Sequence, residues 1–368
     1  MNVLAVTVEQ FRNLSHQTIE FSPNVNVIYG KNAQGKTNLL EALWLFTGGH
    51  SFRGVKDPEL ICFGEATCKL SLQFFSEGRE QTIDLTITGK KRQFFVNGVE
   101  KRTGADLIGK FCSVIFSPEH LGLVKNGPAL RRSFLDTVLC QSRPSYAKDF
   151  VRYQRTLQQR NTLLKEVSKQ PSLQSTLEIW NQALAERGVA LIRQRREMTQ
   201  FLESRSKEIY SGLSQDTEVL TMSYSTIVPD EEPITESVFL EKLERCQGND
   251  LLLGHTSVGP HRDDLEISIN GISARLYGSQ GQQRSVVLSL KLAEAAVLEE
   301  LTGEKPVILL DDVMSELDTD RQDYLLHRIQ DQQIFLTCCN PEVVRILQNG
   351  NVYFVADGTV TQESKIAK

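Results

Sequence analysis

Two short segments near opposite ends of the chain carry the residue types that handle a nucleoside triphosphate. Gly30-Lys31-Asn32-Ala33-Gln34-Gly35-Lys36-Thr37 reads G-x-x-x-x-G-K-T. At that spacing the backbone N–H groups of Gly30, Lys31, Asn32, Ala33, Gln34 and Gly35 wrap phosphate oxygens. Lys36 reaches the terminal phosphates as a catalytic cation, and the Thr37 hydroxyl holds Mg²⁺. The apolar run from Val25 to Tyr29 enters this loop as a strand, and the segment from Asn38 to Leu45 leaves it as a helix whose N-terminus faces the anion. In the second segment, Val307-Ile308-Leu309-Leu310 delivers Asp311 at a strand end, where its carboxylate holds Mg²⁺ directly or through water. Asp312, next in the chain, is placed to orient or deprotonate an attacking water. An isolated apolar run followed by Asp reads more often as a helix cap or turn; paired with the phosphate loop, the nucleotide reading prevails.

A third segment adds phosphate-binding potential. Tyr277-Gly278-Ser279-Gln280-Gly281-Gln282-Gln283-Arg284 opens a helix after a turn, so the Ser279 hydroxyl, the Gly281 amide and Gln282 gather at a helix N-terminus. One γ-phosphate has no need of two such surfaces on one chain, and the arrangement makes sense if this one closes over the nucleotide of a second copy. Ser315-Glu316-Leu317-Asp318 then sits where that copy is contacted. Taken alone, S-x-G-Q is more often a helix cap. His255, His261 and Arg262-Asp263-Asp264 match no zinc spacing and are expected to be structural. The seven cysteines form no C-x-x-C pair, which fits reduced thiols, and no metal other than Mg²⁺ is indicated.

These groups need a sizeable scaffold, and 368 residues with 40% hydrophobic and 24% charged suffice for a large domain with an insertion, or for two domains. No apolar run approaches the roughly 20 residues of a membrane-spanning helix, and Met1-Asn2-Val3-Leu4 lacks a basic signal-peptide start, so a cytoplasmic protein with no membrane partner is expected. The net charge is -5, yet Lys and Arg outnumber Asp and Glu between Lys125 and Lys207. Leu173, Leu177, Trp180, Leu184, Leu191, Met198, Leu202 and Ile209 recur there at helical spacing, predicting a short hairpin of two arms separated near Pro171. Lys148, Arg152 and Arg155 fall on one helix face, and Arg193 and Arg196 stack one turn apart. Both stripes are candidates for the phosphates of duplex DNA. Few aromatics are interleaved, so base stacking and sequence readout are not expected.

Elsewhere the pattern is of short strands. Thr82 to Thr88, Gln93 to Val96 with Asn97-Gly98, and Leu265 to Ile269 with Asn270-Gly271 are hairpin signals. The last third predicts a helix from Ser285 to Leu301, a strand at Val307 to Leu310, a helix after Asp318, a strand at Ile334 to Thr337 and a hairpin from Val352 to Val360. That order implies an α/β fold.

Taken together, these residues resemble a known class. Ser279-Gln280-Gly281-Gln282 is similar to the signature motif of ABC-type ATPases, with Asp311 and Asp312 in the places of their metal-binding aspartate and catalytic acid. Phe11-Arg12-Asn13 and Asn38 resemble SMC-class heads. Phe11 to Leu14, Gly30 to Asn38, Phe116-Ser117-Pro118-Glu119, Gly259 to Asp264, Tyr277 to Arg284 and Leu309 to Asp318 together resemble the RecF family of bacterial recombination mediators, nearly end to end. The resemblance implies an α/β ABC/SMC-type ATPase head, a mixed sheet with a β-rich lobe, discontinuous over 1–124 and 214–368. A basic helical domain is inserted at 125–213. It further implies an ATP-dependent DNA-binding protein of recombinational repair and replication-fork maintenance, with weak DNA-stimulated ATPase activity. Its partners would be double-stranded and gapped DNA, a second copy held by ATP, and RecR- and RecO-like proteins. An SMC-like chromosome-maintenance ATPase and a nucleotide-switched scaffold are the alternatives. Two departures from the ABC pattern stand out. Asp312 replaces the usual glutamate, which predicts slow hydrolysis, and Cys338-Cys339 replaces a switch histidine, leaving Thr337 to sense the γ-phosphate. Arg12 and Asn13 either touch the adenosine side or fix the first strands.

Overall fold

The computed structural model describes residues 1–167, 169–229, 232–339 and 350–366. The chain divides into two compact units, Met1–Leu121 with Val287–Lys368, and Gly122–Val286. The first unit begins with β1 (Asn2–Glu9), β2 (Gln17–Glu20), β3 (Val25–Tyr29) and helix α1 (Lys36–Leu45). It continues through β4 (Thr67–Ser76), β5 (Arg79–Thr88), β6 (Lys91–Val96), β7 (Val99–Lys101) and β8 (Ser113–Phe116). Six of these strands form a sheet in the order β2-β1-β4-β5-β6-β7, with every pairing antiparallel. Alternation makes one face apolar: Cys68, Leu70, Leu72 and Phe74 of β4 and Ile83, Leu85 and Ile87 of β5 are all buried. Asn97 (φ 50°) and Gly98 (φ 75°) form the expected tight turn between β6 and β7.

The second unit holds α2 (Gly122–Lys125), α3 (Pro128–Ser142), α4 (Pro144–Val167), α5 (Leu177–Ser214), β9 (Leu220–Ser225), α6 (Glu236–Leu253), β10 (Asp264–Ile269), β11 (Ile272–Ser273) and α7 (Ala274–Tyr277). Helices α4 and α5 are the two expected arms, separated by a 3-10 turn at Pro171–Thr176. Their 24 and 38 residues give lengths of about 36 and 57 Å at 1.5 Å per residue. Leu177, Leu184, Leu191, Met198, Leu202 and Ile209 are buried, as their spacing predicts. The grouping of the chain differs from the expected one, because the second unit runs on past 213 to 286. The three-stranded sheet β11-β10-β9 belongs with the helices. Long-range bonds explain this: Arg195 of α5 donates to Tyr224 Oη (3.1 Å) and to the Pro260 carbonyl (2.6 Å), while Arg131 of α3 forks onto Asp264.

Helix α8 (Gln280–Thr302) follows, the first unit resuming at Val287 within it, and then come β12 (Val307–Asp311), α9 (Thr319–Ile329), β13 (Ile334–Cys338), β14 (Gly350–Ala356) and β15 (Thr359–Ile366). These complete a mixed sheet in the order β15-β14-β3-β13-β12-β8, parallel except for the β14–β15 hairpin. Strands β12 and β13 are buried throughout, as central parallel strands must be. Leu39, Leu40 and Leu43 of α1 join Leu309, Phe335 and the inner face of the antiparallel sheet in one apolar core. Pairing of Asp311 with Thr337, and of Thr337 with Ile28, brings the carboxyl ends of β12, β13 and β3 side by side. Among the described residues no helix is long and apolar enough to cross a membrane.

Candidate nucleotide-binding site

The phosphate loop leaves β3 at Gly30 and enters α1 at Lys36, so the free N–H groups of a helix start point into the loop. Its shape depends on glycine at two places. Gly30 (φ 153°) brings its α-carbon so near β14 that a Cβ would lie 2.3 Å from the Val355 carbonyl oxygen. Gly35 (φ 119°) leaves only 3.0 Å to Asn13 and Leu14. Lys36 folds its ammonium over the loop, donating to the carbonyls of Gly30 (2.7 Å) and Lys31 (2.9 Å), with Cys339 Sγ at 3.8 Å.

Thr37 donates its hydroxyl to Asp311 Oδ1 at 2.8 Å, joining the phosphate loop to the end of β12. The same oxygen accepts from Thr337 Oγ1 at 2.9 Å. Burial pushes the Asp311 carboxyl above the usual aspartate range; the two hydroxyl bonds oppose this, and the negative charges of Glu119 and Asp312 add to it. A carboxylate beside a threonine hydroxyl and surrounded by surplus negative charge is a hard-oxygen donor set that suits Mg²⁺, and the loop's helix start and lysine suit a polyphosphate. The residues therefore fit a magnesium nucleotide.

Asp312 adopts a left-handed backbone (φ 53°, ψ 21°), uncommon for a residue with a side chain. Its N–H donates to Thr337 Oγ1 (2.9 Å), and its carbonyl accepts from Ser315 Oγ (2.8 Å). Thr337 is buried and its hydroxyl is engaged by both aspartates, so it is not open to a phosphate as a sensor would be. The exposed thiol on this strand end is Cys339, which donates to Asn32 Oδ1 at 3.0 Å. Asp318 caps α9 by accepting from the Arg321 N–H.

Arg12 and Asn13 both bond to α1, and Asn13 also reaches the phosphate loop at the Ala33 carbonyl. Arg12 forks onto the buried Glu41 of α1 (2.9 and 3.1 Å), which Ser51 also contacts. Asn13 accepts from Asn38 Nδ2 at 2.7 Å. Both residues thus fix the loop that runs beside the phosphate site. The sequence also gave no sign of a brace from the far end of the chain. Gln34 accepts from the Asp357 N–H on its side-chain oxygen (2.6 Å) and from the Gly358 N–H on its backbone oxygen (3.1 Å). The one local hint is Gly358, where a Cβ would lie 1.8 Å from the Asn13 carbonyl oxygen.

Ser279, Gly281 and Gln282 belong to the second unit. Ser279 Oγ accepts from the Gln282 N–H (3.2 Å), Gln282 Oε1 accepts from the Ser279 N–H (2.7 Å), and Gln282 Nε2 donates to Glu218 (2.7 Å). This reciprocal cap starts α8 while Ser279 stays exposed, next to the exposed Leu276 and Tyr277. Of the DNA candidates, Lys148, Arg152 and Arg155 are exposed on α4, with Asp149 at 3.5 Å from Arg152. The second stripe is engaged differently from what its spacing suggests. Arg193 donates to the Ile234 carbonyl (2.8 Å), and Arg196 to the carbonyls of Val228, Pro229 and Glu232 (each 2.8 Å).

His261 lies between Tyr153 Oη (2.8 Å) and the Thr256 carbonyl (3.0 Å). Asp263 accepts from Tyr224 and Thr226 (both 2.7 Å), and Asp264 from Arg131. These are structural bonds, as expected, and among the described residues no cluster of acids, histidines and cysteines is arranged to hold a metal on its own.

The family model described as "RecF/RecN/SMC N terminal domain" matches residues 2–361. The DNA replication and repair protein RecF of Ruminiclostridium cellulolyticum is 41% identical over 369 residues, covering 98% of this chain and 99% of that protein. The protein of the same name from Halalkalibacterium halodurans is 38% identical over 370 residues, covering 99% of this chain and 100% of its own. A solved structure of the recombination mediator protein RecF-ATPrS in the RecFOR pathway superposes with a TM-score of 0.92 at 37% identity, covering 98% of each chain. The Smc head domain of Pyrococcus furiosus, bound to the C-terminal domain of ScpA, gives a TM-score of 0.57 at 16% identity over 99% of this chain and 96% of its own, a likeness of fold. Phosphate loop, paired aspartates and parallel sheet thus occur in a chain that belongs to the RecF family of DNA replication and repair proteins, with the head fold of the SMC/ABC-type ATPases.

Proposed function

We propose that this protein binds ATP with Mg²⁺ at Gly30–Thr37, pairs with a second copy while ATP is present, and clamps duplex DNA at gaps or junctions. Slow hydrolysis then releases the DNA, and RecR- and RecO-like partners cooperate in loading recombinase during repair. The observation that carries this reading is the junction of Thr37, Asp311 and Thr337 at three adjoining strand ends beside Lys36. Solved relatives described as RecF-ATP and as members of the RecFOR pathway support it.

When bound, the magnesium nucleotide supplies a polarised γ-phosphoryl group and a good leaving group. The chain's own groups do the rest. Loop N–H groups and Lys36 hold the phosphates; Thr37 and Asp311 offer oxygens to the metal; Asp312 accepts a proton from the attacking water. Ser279, Gly281 and Gln282 are assigned to the nucleotide of the second copy, for which an exposed hydroxyl at a helix start is suited. On DNA, Lys148, Arg152 and Arg155 meet backbone phosphates. Arg193 and Arg196 are left out, because their carbonyl bonds hold the segment after β9. We place the protein in the cytoplasm, which the free state of all seven cysteines supports.

The test is retention of a gapped duplex with ATP, with ADP and without nucleotide, for the wild type and Lys36→Ala. ATP-dependent retention that falls steeply with salt and vanishes in the variant is expected. Retention indifferent to nucleotide would defeat the clamp.

A further inference from the structure

Three hydroxyls converge on Asp311, which ends β12, and Asp312, which follows it, and one of them has no counterpart in the roles assigned above. Thr37 serves the metal end of the site and Ser315 lies in an exposed turn, whereas Thr337 is 1% exposed on a central strand. Its single hydroxyl does two things. It donates to Asp311 Oδ1 at 2.9 Å and accepts the Asp312 N–H at 2.9 Å. Ser315 Oγ holds the other side of the same residue by donating to the Asp312 carbonyl at 2.8 Å. Both backbone polar groups of Asp312 are therefore tied to side-chain hydroxyls, at a left-handed φ of 53° that aspartate tolerates better than most residues but adopts less often than negative φ.

That conformation decides where the carboxylate points. With φ positive, the Cα–Cβ bond leaves the backbone in a different direction from that of a helical or extended residue. Freed of its ties, Asp312 would relax toward negative φ and carry its carboxylate with it. We infer that Thr337 is a positioning residue for hydrolysis: its hydroxyl locks the left-handed backbone of Asp312 to the carboxylate of Asp311, so that the acid facing the water and the acid facing the metal keep a fixed relation. This inference rests on the nucleotide-hydrolysis reading above. It replaces γ-phosphate sensing by Thr337, since a buried hydroxyl already shared by two aspartates has nothing left to offer a phosphate.

The experiment is steady-state ATP hydrolysis at saturating gapped duplex for wild type, Thr337→Val, Thr337→Ser and Ser315→Ala, with binding of a fluorescent ATP analogue and thermal melting measured alongside. Valine keeps the shape and loses the hydroxyl; serine keeps the hydroxyl. The expected result is a fall in kcat on the order of a hundredfold for Thr337→Val, as for other small misplacements of a reacting group. KM and analogue binding should stay within about threefold, and Thr337→Ser should retain most of the wild-type kcat. A kcat for Thr337→Val equal to wild type overturns the inference, as does a loss confined to KM, or an equal loss in Thr337→Ser. If Thr337→Val melts below the assay temperature, Ser315→Ala decides, since it loosens the same residue from the turn side: a lowered kcat with binding retained supports the inference, and an unchanged kcat overturns it. Wild type that binds the analogue but hydrolyses no ATP would remove the hydrolysis reading and this inference together. Hydrolysis indifferent to Thr337 and Ser315 would remove the inference alone.

Discussion

Asp311 in the first unit and Asp263 in the second are built alike and set among opposite charges. Each is buried, each accepts two hydroxyl hydrogen bonds, from Thr37 and Thr337 in one case and from Tyr224 and Thr226 in the other, and burial pushes each above the usual aspartate range. The difference is in the charges around them. Asp263 is faced by the cations Arg195 and Arg132, which pull its pKa back down. Asp311 is faced by the anions Glu119 and Asp312, which push it further up. One carboxylate has its counter-charge built into the fold; the other has anions for neighbours, which suits it to the Mg²⁺ proposed above. Burial and hydrogen bonding are therefore the same at the two acids, and the sign of the surrounding charge is what supports assigning a metal to Asp311 and not to Asp263.

The comparison breaks most visibly if removing charge has the same effect in both units. Arg160→Leu should lower stability by about 3–5 kcal/mol, because it strands the fully buried Asp250, whose partner lies at 2.8 Å. Asp311→Asn should do the opposite to stability, leaving the thermal midpoint unchanged or higher, while reducing Mg²⁺-dependent hydrolysis by at least about a hundredfold. Thermal melts and turnover of the two variants check the pair.

Acid should also separate the units. Burial holds the His261 pKa down at about 4, against 6.5 for the ordinary group, so the unfolded chain binds a proton that the folded chain refuses between those values. Stability is thus fully present above about pH 6.5 and is lost as pH falls toward 4. Melting temperature should decline over this window in wild type and less so in His261→Gln. At Asp311 the carboxyl is raised in the metal-free site, so protons compete with Mg²⁺ there, and the pH at which hydrolysis fails on acidification should fall as the Mg²⁺ concentration is raised.

Smaller effects sharpen the same contrast among arginines. Arg152→Ala and Arg155→Ala should each weaken duplex binding modestly and reduce the slope of log affinity against log salt by about 1, without changing the melt. Arg196→Ala should lower the melt instead, because three carbonyls lose their donor. Asp312→Glu should raise turnover a few-fold by bringing the carboxylate nearer the water; unchanged or slower turnover would refute the explanation of slow hydrolysis by side-chain length.

What the sequence made legible was local. The phosphate loop could be read because its spacing, entering strand and leaving helix are contiguous, and Asn97-Gly98 because two adjacent residues carry the turn. The arms α4 and α5 could be read because apolar period and Pro171 suffice. What escaped depended on partners far along the chain. Arg193 and Arg196 looked like a phosphate stripe, and their bonds to the carbonyls of Val228, Pro229, Glu232 and Ile234 carry no signal in the spacing. Arg12 has its meaning from Glu41, Gln34 from Gly358, and Thr337 from the backbone of Asp312, and no spacing rule encodes those pairings. The extent of the second unit escaped for the same reason, since Arg131 and Arg195 attach β9 and β10 to helices that precede them.

The measurement that bears most directly on the ATP-held dimer is solution mass by light scattering for the Asp312→Asn protein, with and without ATP and Mg²⁺, and then with a gapped duplex. The account predicts a monomer that becomes a dimer only with ATP, and a dimer that retains the duplex. A mass unchanged by ATP, under conditions where nucleotide binding is verified, would contradict it and leave a nucleotide-binding head without a clamp.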